Sequence, residues 1–234
     1  MTTHYVSTAW ANSGVTNKST VDDAASDIAS YMDSNISGPF SHYSYGSVSI
    51  GSTNGEVDFI KTVLDKIHND SEHADLTPSE TVLIPHDNWS WGYGRNIAYE
   101  YASGEWCHGC TVYAGTQISA LEARIMSWHE AGHTWAYDSG RTGGEHANAH
   151  ANCCNSDNQM YEITPMGAAY TLDNNNISYM AYAGDDTPVG TYCNGTNNRQ
   201  GIACEGYCHT DGAFNYSKYS SCTMNDASTW DSQH

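Results

Sequence analysis

The chain has 234 residues, with 8 Lys+Arg against 27 Asp+Glu and a formal net charge of −19. That balance argues against nucleic acid and anionic membrane as partners, because both carry the same sign; it serves solubility and would also suit high ionic strength, although only 15% of residues are charged. The length allows one large domain, or one domain with a small appendage, and no run of about 18 apolar residues is present to span a bilayer.

Tyr5-Val6-Ser7 opens as a short strand, and Met1-Thr2-Thr3 before it reads as the start of a trimmed mature form, without its export signal or propeptide. Ser19-Thr20 precede Val21, Ala24, Ala25, Ile28, Tyr31, Met32 and Ile36, apolar residues at helical spacing, with Asp22 and Asp23 in the first turn and a stop before Gly38-Pro39. Tyr43 to Ile50 alternates as a strand does. Gly51 to Gly55 turn the chain into a second helix carrying Val57, Ile60, Val63, Leu64 and Ile67. Thr81 to Pro85 is an apolar run suited to a strand buried on both faces, and Trp89 to Tyr93 reads as a loop. Ile97 to Tyr101 and Thr111 to Ala114 are two further strands, separated by a turn with Cys107 and Cys110. A local disulfide is the preferred use of that pair; a structural zinc site on Cys107-His108-Gly109-Cys110 is the rival, without a second cysteine pair at zinc-ribbon spacing. The eight cysteines together favour up to four disulfides and a secreted, extracellular setting.

Ser119-Ala120-Leu121-Glu122 has the form of a capping box, and Leu121, Ile125, Trp128 and Ala136 give the helix behind it an apolar stripe. That helix carries His129-Glu130-Ala131-Gly132-His133. Side chains four apart share a helix face, so the two imidazoles can hold one metal ion, and Glu130 stands close enough to take a proton from a water on that ion. Zinc is the ion this pattern predicts, with a third protein ligand from elsewhere and a fourth place for water. After Asp138 the chain turns Gly-, Asn- and Cys-rich without a clear period. It divides on this reading into an N-terminal catalytic subdomain, 1–140, and a C-terminal subdomain, 141–234, for which Asp173 to Asn176 offer a stabilising calcium site. His4, His42, His68, His73, His86, His108, His209 and His234 read as ordinary core or surface histidines.

The motif resembles that of the metzincin zinc endopeptidases, HExxHxxGxxH, in which the helix reaches a Gly, turns and delivers a third His to the metal. The resemblance implies an α+β fold: a twisted mixed β-sheet with two helices and an active-site helix, plus an irregular, disulfide-rich C-terminal subdomain. The chain departs from the pattern at Ala136, where the Gly would stand, and at Ser139, where the third His would stand; Ala does not adopt a left-handed turn cheaply. Gly143-Gly144-Glu145-His146 restores the Gly-x-x-His spacing after an insertion of about seven residues, and leishmanolysin-like members of the family tolerate a longer one. His146 is therefore the favoured third ligand, with His150, Asp138 or a remote Glu as alternatives. Tyr179-Met180-Ala181-Tyr182 resembles the family's Met-x-Tyr turn beneath the metal, with Tyr182 placed to stabilise the oxyanion, and Thr164-Pro165-Met166-Gly167 competes for that turn. Phe214-Asn215-Tyr216-Ser217 is similar to the Phe-x-x-Ser near the family's last helix, here Tyr219 to Ala227.

The resemblance implies a secreted, monomeric, zinc-dependent endopeptidase that cleaves protein or peptide substrates with Glu130 as general base. The substrate would lie extended along an edge strand, in Ile97 to Tyr101 or in Thr111 to Ala114. One alternative is a gluzincin-like peptidase with Glu162 on a later helix as third ligand, although Gln159 to Pro165 is a poor helix. A non-catalytic, disulfide-rich secreted binding module is the other, and the intact Glu130 disfavours it.

Overall fold

The structure is a computed structural model that describes residues 3–11, 14–70, 74–91, 94–135, 153–154, 160–163, 168–171, 176–179, 213–214, 218–219 and 221–232. The chain divides into two compact units, residues 1–134 and 135–233.

The first unit is mixed α and β. Its elements are β1 (His4–Trp10), α1 (Lys18–Asn35), β2 (Phe40–Ser47), α2 (Glu56–Asn69), β3 (Thr81–His86), a 3-10 turn at Trp89–Trp91, β4 (Gly94–Ala102), β5 (Glu105–Tyr113) and α3 (Ala120–Trp135). The five strands form one sheet in the order β2-β1-β3-β5-β4, parallel throughout except for the antiparallel edge strand β4. β3 is buried at every position, as its unbroken apolar run predicts for a strand covered on both faces.

The two faces are covered differently. On one, Ile60, Val63, Leu64 and Ile67 of α2 pack on Ala9, Val82, Ile84 and Cys107. Gly109 of β5 lets that helix approach, since a Cβ there would lie 2.3 Å from Ile60 Cγ2. Charges suit the α2 macrodipole, with Glu56 and Asp58 in the first turn and Lys66 and His68 in the last. On the opposite face Thr81, which alternates with Val82, bonds Thr134 of α3 at 3.2 Å between hydroxyl oxygens. α1 joins α3 through the edge-to-face contact of Tyr31 with Trp128 and the Arg124–Asp27 ion pair.

Several expected boundaries shift. α1 starts at Lys18, so Asp22 falls in the second turn, where it faces Thr8 and His42 instead of the helix N-terminus. Asn17 at the N-cap turns its side-chain amide to the carbonyls of Gly115 and Ile118, tying α1 to the segment that leads into α3. The Cys107–Cys110 expectation is overturned. Both residues lie inside β5, the turn falls instead between Ala102 and Glu105, and both thiols are free and buried. Three residues apart on a strand, they point to opposite faces: Cys107 into the α2 core and Cys110 towards α3, so neither a disulfide nor a shared zinc is open to them.

In the second unit, a three-stranded sheet has the order β10 (Ala213–Phe214), β7 (Met160–Ile163), β6 (Cys153–Cys154), and β8 (Ala168–Thr171) pairs antiparallel with β9 (Asn176–Tyr179). α4 spans Ser221–Asp231, starting two residues later and running four residues further than expected. Trp135 packs edge-to-face on Tyr219, with ring centroids 5.8 Å apart. The Asp173 to Asn176 calcium expectation, the Met166 and Met180 turns, and disulfides among the six other cysteines lie outside the described residues or side chains. No helix among the described residues is long and apolar enough to cross a membrane.

Burial pushes both thiols above the ordinary range. Peptide mapping should accordingly find Cys107 and Cys110 unlabelled by an alkylating reagent in the folded protein and labelled after denaturation without reductant. Protection of either residue in the denatured, unreduced chain would mean that it is oxidised.

Candidate metal centre

α3 holds the motif, and its sequence explains both its start and its register. The capping box forms as expected. Ser119 N–H and Oγ donate to Glu122 Oε2 at 2.6 and 2.7 Å, and Glu122 N–H donates to Ser119 Oγ at 3.2 Å. Ala, Leu, Glu, Arg and Met then carry the helix forward. Leu121 is not part of the buried stripe, being 43% exposed, whereas Ile125, Trp128, Ala131 and Trp135 are buried. The helix is buried nearly all round, which is why the sequence showed only a weak stripe.

His129 and His133 converge. Their Nε2 atoms are 3.2 Å apart and their ring centroids 4.9 Å, with the rings crossed at 78°. Two imidazole nitrogens, each about 2.0–2.1 Å from one tetrahedral zinc ion, stand about 3.3 Å apart, so the donor atoms and their spacing fit such an ion. Among the described residues no three His, Cys, Asp or Glu side chains form a metal cluster. His146, His150 and Asp138, the third-ligand candidates, and Tyr182 lie outside the described residues. Glu162 lies on the strand β7, opposite Cys153, instead of on the later helix that a gluzincin-like site requires.

Glu130 points from α3 to the beginning of β4. The contact depends on Gly94, because a Cβ there would fall 2.7 Å from both Glu130 Cγ and Oε1, and 2.6 Å from the Thr111 carbonyl oxygen. Two residues on, the Asn96 amide nitrogen lies 2.8 Å from the Glu130 carbonyl oxygen, 3.0 Å from Thr134 Oγ1 and 3.0 Å from Cys110 Sγ, and its carbonyl oxygen lies 2.9 Å from His108 Nδ1. β4 and the motif helix are thereby locked together at the turn that carries Glu130 and His133. Sequence reasoning missed Gly94 and Asn96. A glycine at the head of a strand is the one signal that could have flagged a close approach.

Glu130 is buried, 5% exposed as a residue, and its carboxyl pKa is raised from 4.5 to about 8, first by burial and then by the charge of Glu56, against the lowering effect of Arg95. Arg95 and Glu56 form an ion pair at 3.2 Å, and Thr111 Oγ1 donates to Glu56 at 2.6 Å. The other described histidines have separate settings. His42 faces Asp22, His68 faces Asp75, His108 faces Asn96, His4 rests on Phe40, and His86 lies among aromatic rings.

Two expectations follow. Gly94→Ala should cost about 1–3 kcal/mol in denaturant unfolding, and pairing it with Glu130→Ala should recover part of that loss, whereas strict additivity would mean that the two residues do not share the contact. The second concerns pH in the metal-free protein. The folded pKa of Glu130 lies above the unfolded value, so stability is full below the unfolded pKa and falls as pH rises towards 8. Glu130→Gln removes this loss. Its melting temperature should gain on the wild type by several degrees from about pH 5 to about pH 8, and a constant difference would show that Glu130 does not titrate there.

Compared with known proteins, the chain matches no family model and no curated sequence.

Proposed function

We propose that the chain is a secreted zinc-dependent endopeptidase of the metzincin type, which hydrolyses peptide bonds in protein or peptide substrates. The observation that carries this reading is the convergence of the His129 and His133 Nε2 atoms at 3.2 Å, beside a buried Glu130 carboxylate that lies against the first residue of an edge strand. His129 and His133 would hold the metal, with His146 as the favoured third ligand. Zinc, when bound, draws the pKa of a water towards neutrality and polarises the scissile carbonyl.

The chain's own residues supply the rest. A Glu130 carboxylate oxygen accepts the proton of the attacking water and later delivers it to the leaving amine. The substrate extends along β4, which pairs only with β5 among the described strands and leaves its other edge free for a peptide backbone. Thr111 to Ala114, the other sequence candidate for the substrate strand, is displaced from that role because β5 lies between β3 and β4. Tyr182 is assigned to the charge developing on the carbonyl oxygen on the strength of the Met-x-Tyr resemblance alone.

Metal analysis of the gently purified protein should find about one zinc per chain. Glu130→Gln should keep the metal and lose at least about a hundredfold in cleavage of an unfolded protein, while His146→Ala should lose the metal. A zinc-free wild type, or a Glu130→Gln variant that cleaves normally, would overturn the reading; a zinc-binding His146→Ala beside a zinc-free His150→Ala would move the third ligand to His150.

A further inference from the structure

Asn96 ties β4 to the motif helix, but a side-chain amide can take two orientations, related by a half-turn, that bring either its NH2 group or its oxygen against α3. Only one suits this corner. The Glu130 carbonyl oxygen can only accept, so the edge of Asn96 that meets it at 2.8 Å is the NH2 group, which also lies 3.0 Å from Thr134 Oγ1 and 3.0 Å from Cys110 Sγ. The Asn96 oxygen is thereby turned the other way, towards His108 Nδ1 at 2.9 Å. Two acceptors do not share a hydrogen bond, so that nitrogen must carry a proton.

His108 is well founded for this task. It stands two residues from Cys110 on β5, on the same face of the sheet, and Cys110 is the direct cross-strand partner of Asn96, so His108 is its diagonal neighbour. Its backbone pairs with Ala98 of β4 on one side and with Thr81 of β3 on the other, and its N–H donates to the Glu80 carbonyl oxygen at 2.7 Å. The ring therefore rises from an interior strand, whereas Asn96 belongs to the edge. An apolar side chain at 108 would take the donor from the part-buried Asn96 oxygen and leave the amide free to turn away from α3.

We propose that His108 is a positioning residue for the His129/His133 pair: its Nδ1–H fixes the Asn96 amide, the amide fixes α3 at Glu130 and Thr134, and the helix so held aims both imidazoles at one point. Its effect on metal binding rests on the zinc reading of that pair; its effect on the direction of the two rings does not.

Nuclear magnetic resonance of the full metal-free chain and zinc titration test this together. In the wild type His108 Nδ1 should carry a proton, and a bare Nδ1 overturns the proposal whatever the variants do. In His108→Leu the ring resonances of His129 and His133 should shift, and the Asn96 side-chain amide hydrogens should exchange at least about tenfold faster. His108→Asn, whose amide nitrogen takes the place of Nδ1, should restore both. Zinc affinity, measured by competition with a chelator, should fall at least about tenfold in His108→Leu and recover to within about threefold of the wild type in His108→Asn. Val63→Ala, which removes packing from the α2 core on the other face of the sheet, should cost stability and leave zinc affinity unchanged. Unmoved ring resonances in His108→Leu, losses that His108→Asn does not restore, or an equal loss of zinc affinity in Val63→Ala would each overturn the proposal. A wild type that binds no zinc would sink the zinc reading instead, and the metal-free resonances would then decide the role of His108 alone. If the leucine variant does not fold, His108→Gln, whose donor lies one bond further out, takes its place with the same expected losses.

Discussion

The position of the motif helix depends on one side chain from the neighbouring strand. Asn96 contacts the Glu130 carbonyl oxygen and the Thr134 hydroxyl one turn later, and Thr134 in turn meets Thr81 of β3. A backbone carbonyl has two lone pairs, so the helix can keep its own hydrogen bond while the amide of Asn96 takes the second. Two contacts one turn apart fix the rotation of a helix about its axis as well as its depth. Residues 129 and 133 each precede a clamped position by one, which is about 100° around the helix. Holding 130 and 134 to the sheet therefore decides where the two imidazoles point.

The same interaction gives β4 a purpose beyond closing the sheet. An antiparallel edge strand leaves backbone groups open to a partner, a feature that proteins ordinarily blunt. Here the strand begins at Gly94, against the Glu130 carboxylate, and is tied at Asn96 to the backbone of the same residue. A peptide paired with β4 would thus be registered against Glu130 by rigid elements instead of by loops.

What could be read from the sequence was local. The helices announced themselves by their apolar spacing, α3 by its capping box, the fully buried β3 by its unbroken run, and the His129/His133 pair by the four-residue repeat of a helix. Gly94 and Asn96 act across the sheet on residues more than thirty positions away, and nothing in their own neighbourhood encodes that contact. The Cys107–Cys110 error has a related cause. The spacing suits a turn, but β5 runs straight through it, and on a strand an odd spacing sends the two side chains to opposite faces. Leu121 was misplaced because a helix buried nearly all round has no apolar stripe to follow, so its first exposed turn looks no different from its core.

Two carboxyl groups lie near the start of β4, and their surroundings differ. Glu56 opens α2, where the helix dipole favours a negative group, and it has the Arg95 guanidinium and the Thr111 hydroxyl for partners. Glu130 is buried on the other helix-covered face, where the charge of Glu56 raises its pKa further and Arg95 lowers it in part. Arg95 belongs to β4, so the strand that positions the Glu130 carboxyl through Gly94 and its backbone through Asn96 also carries the charge that partly offsets burial and Glu56. Three consecutive residues of a single edge strand, Gly94, Arg95 and Asn96, thus all bear on Glu130.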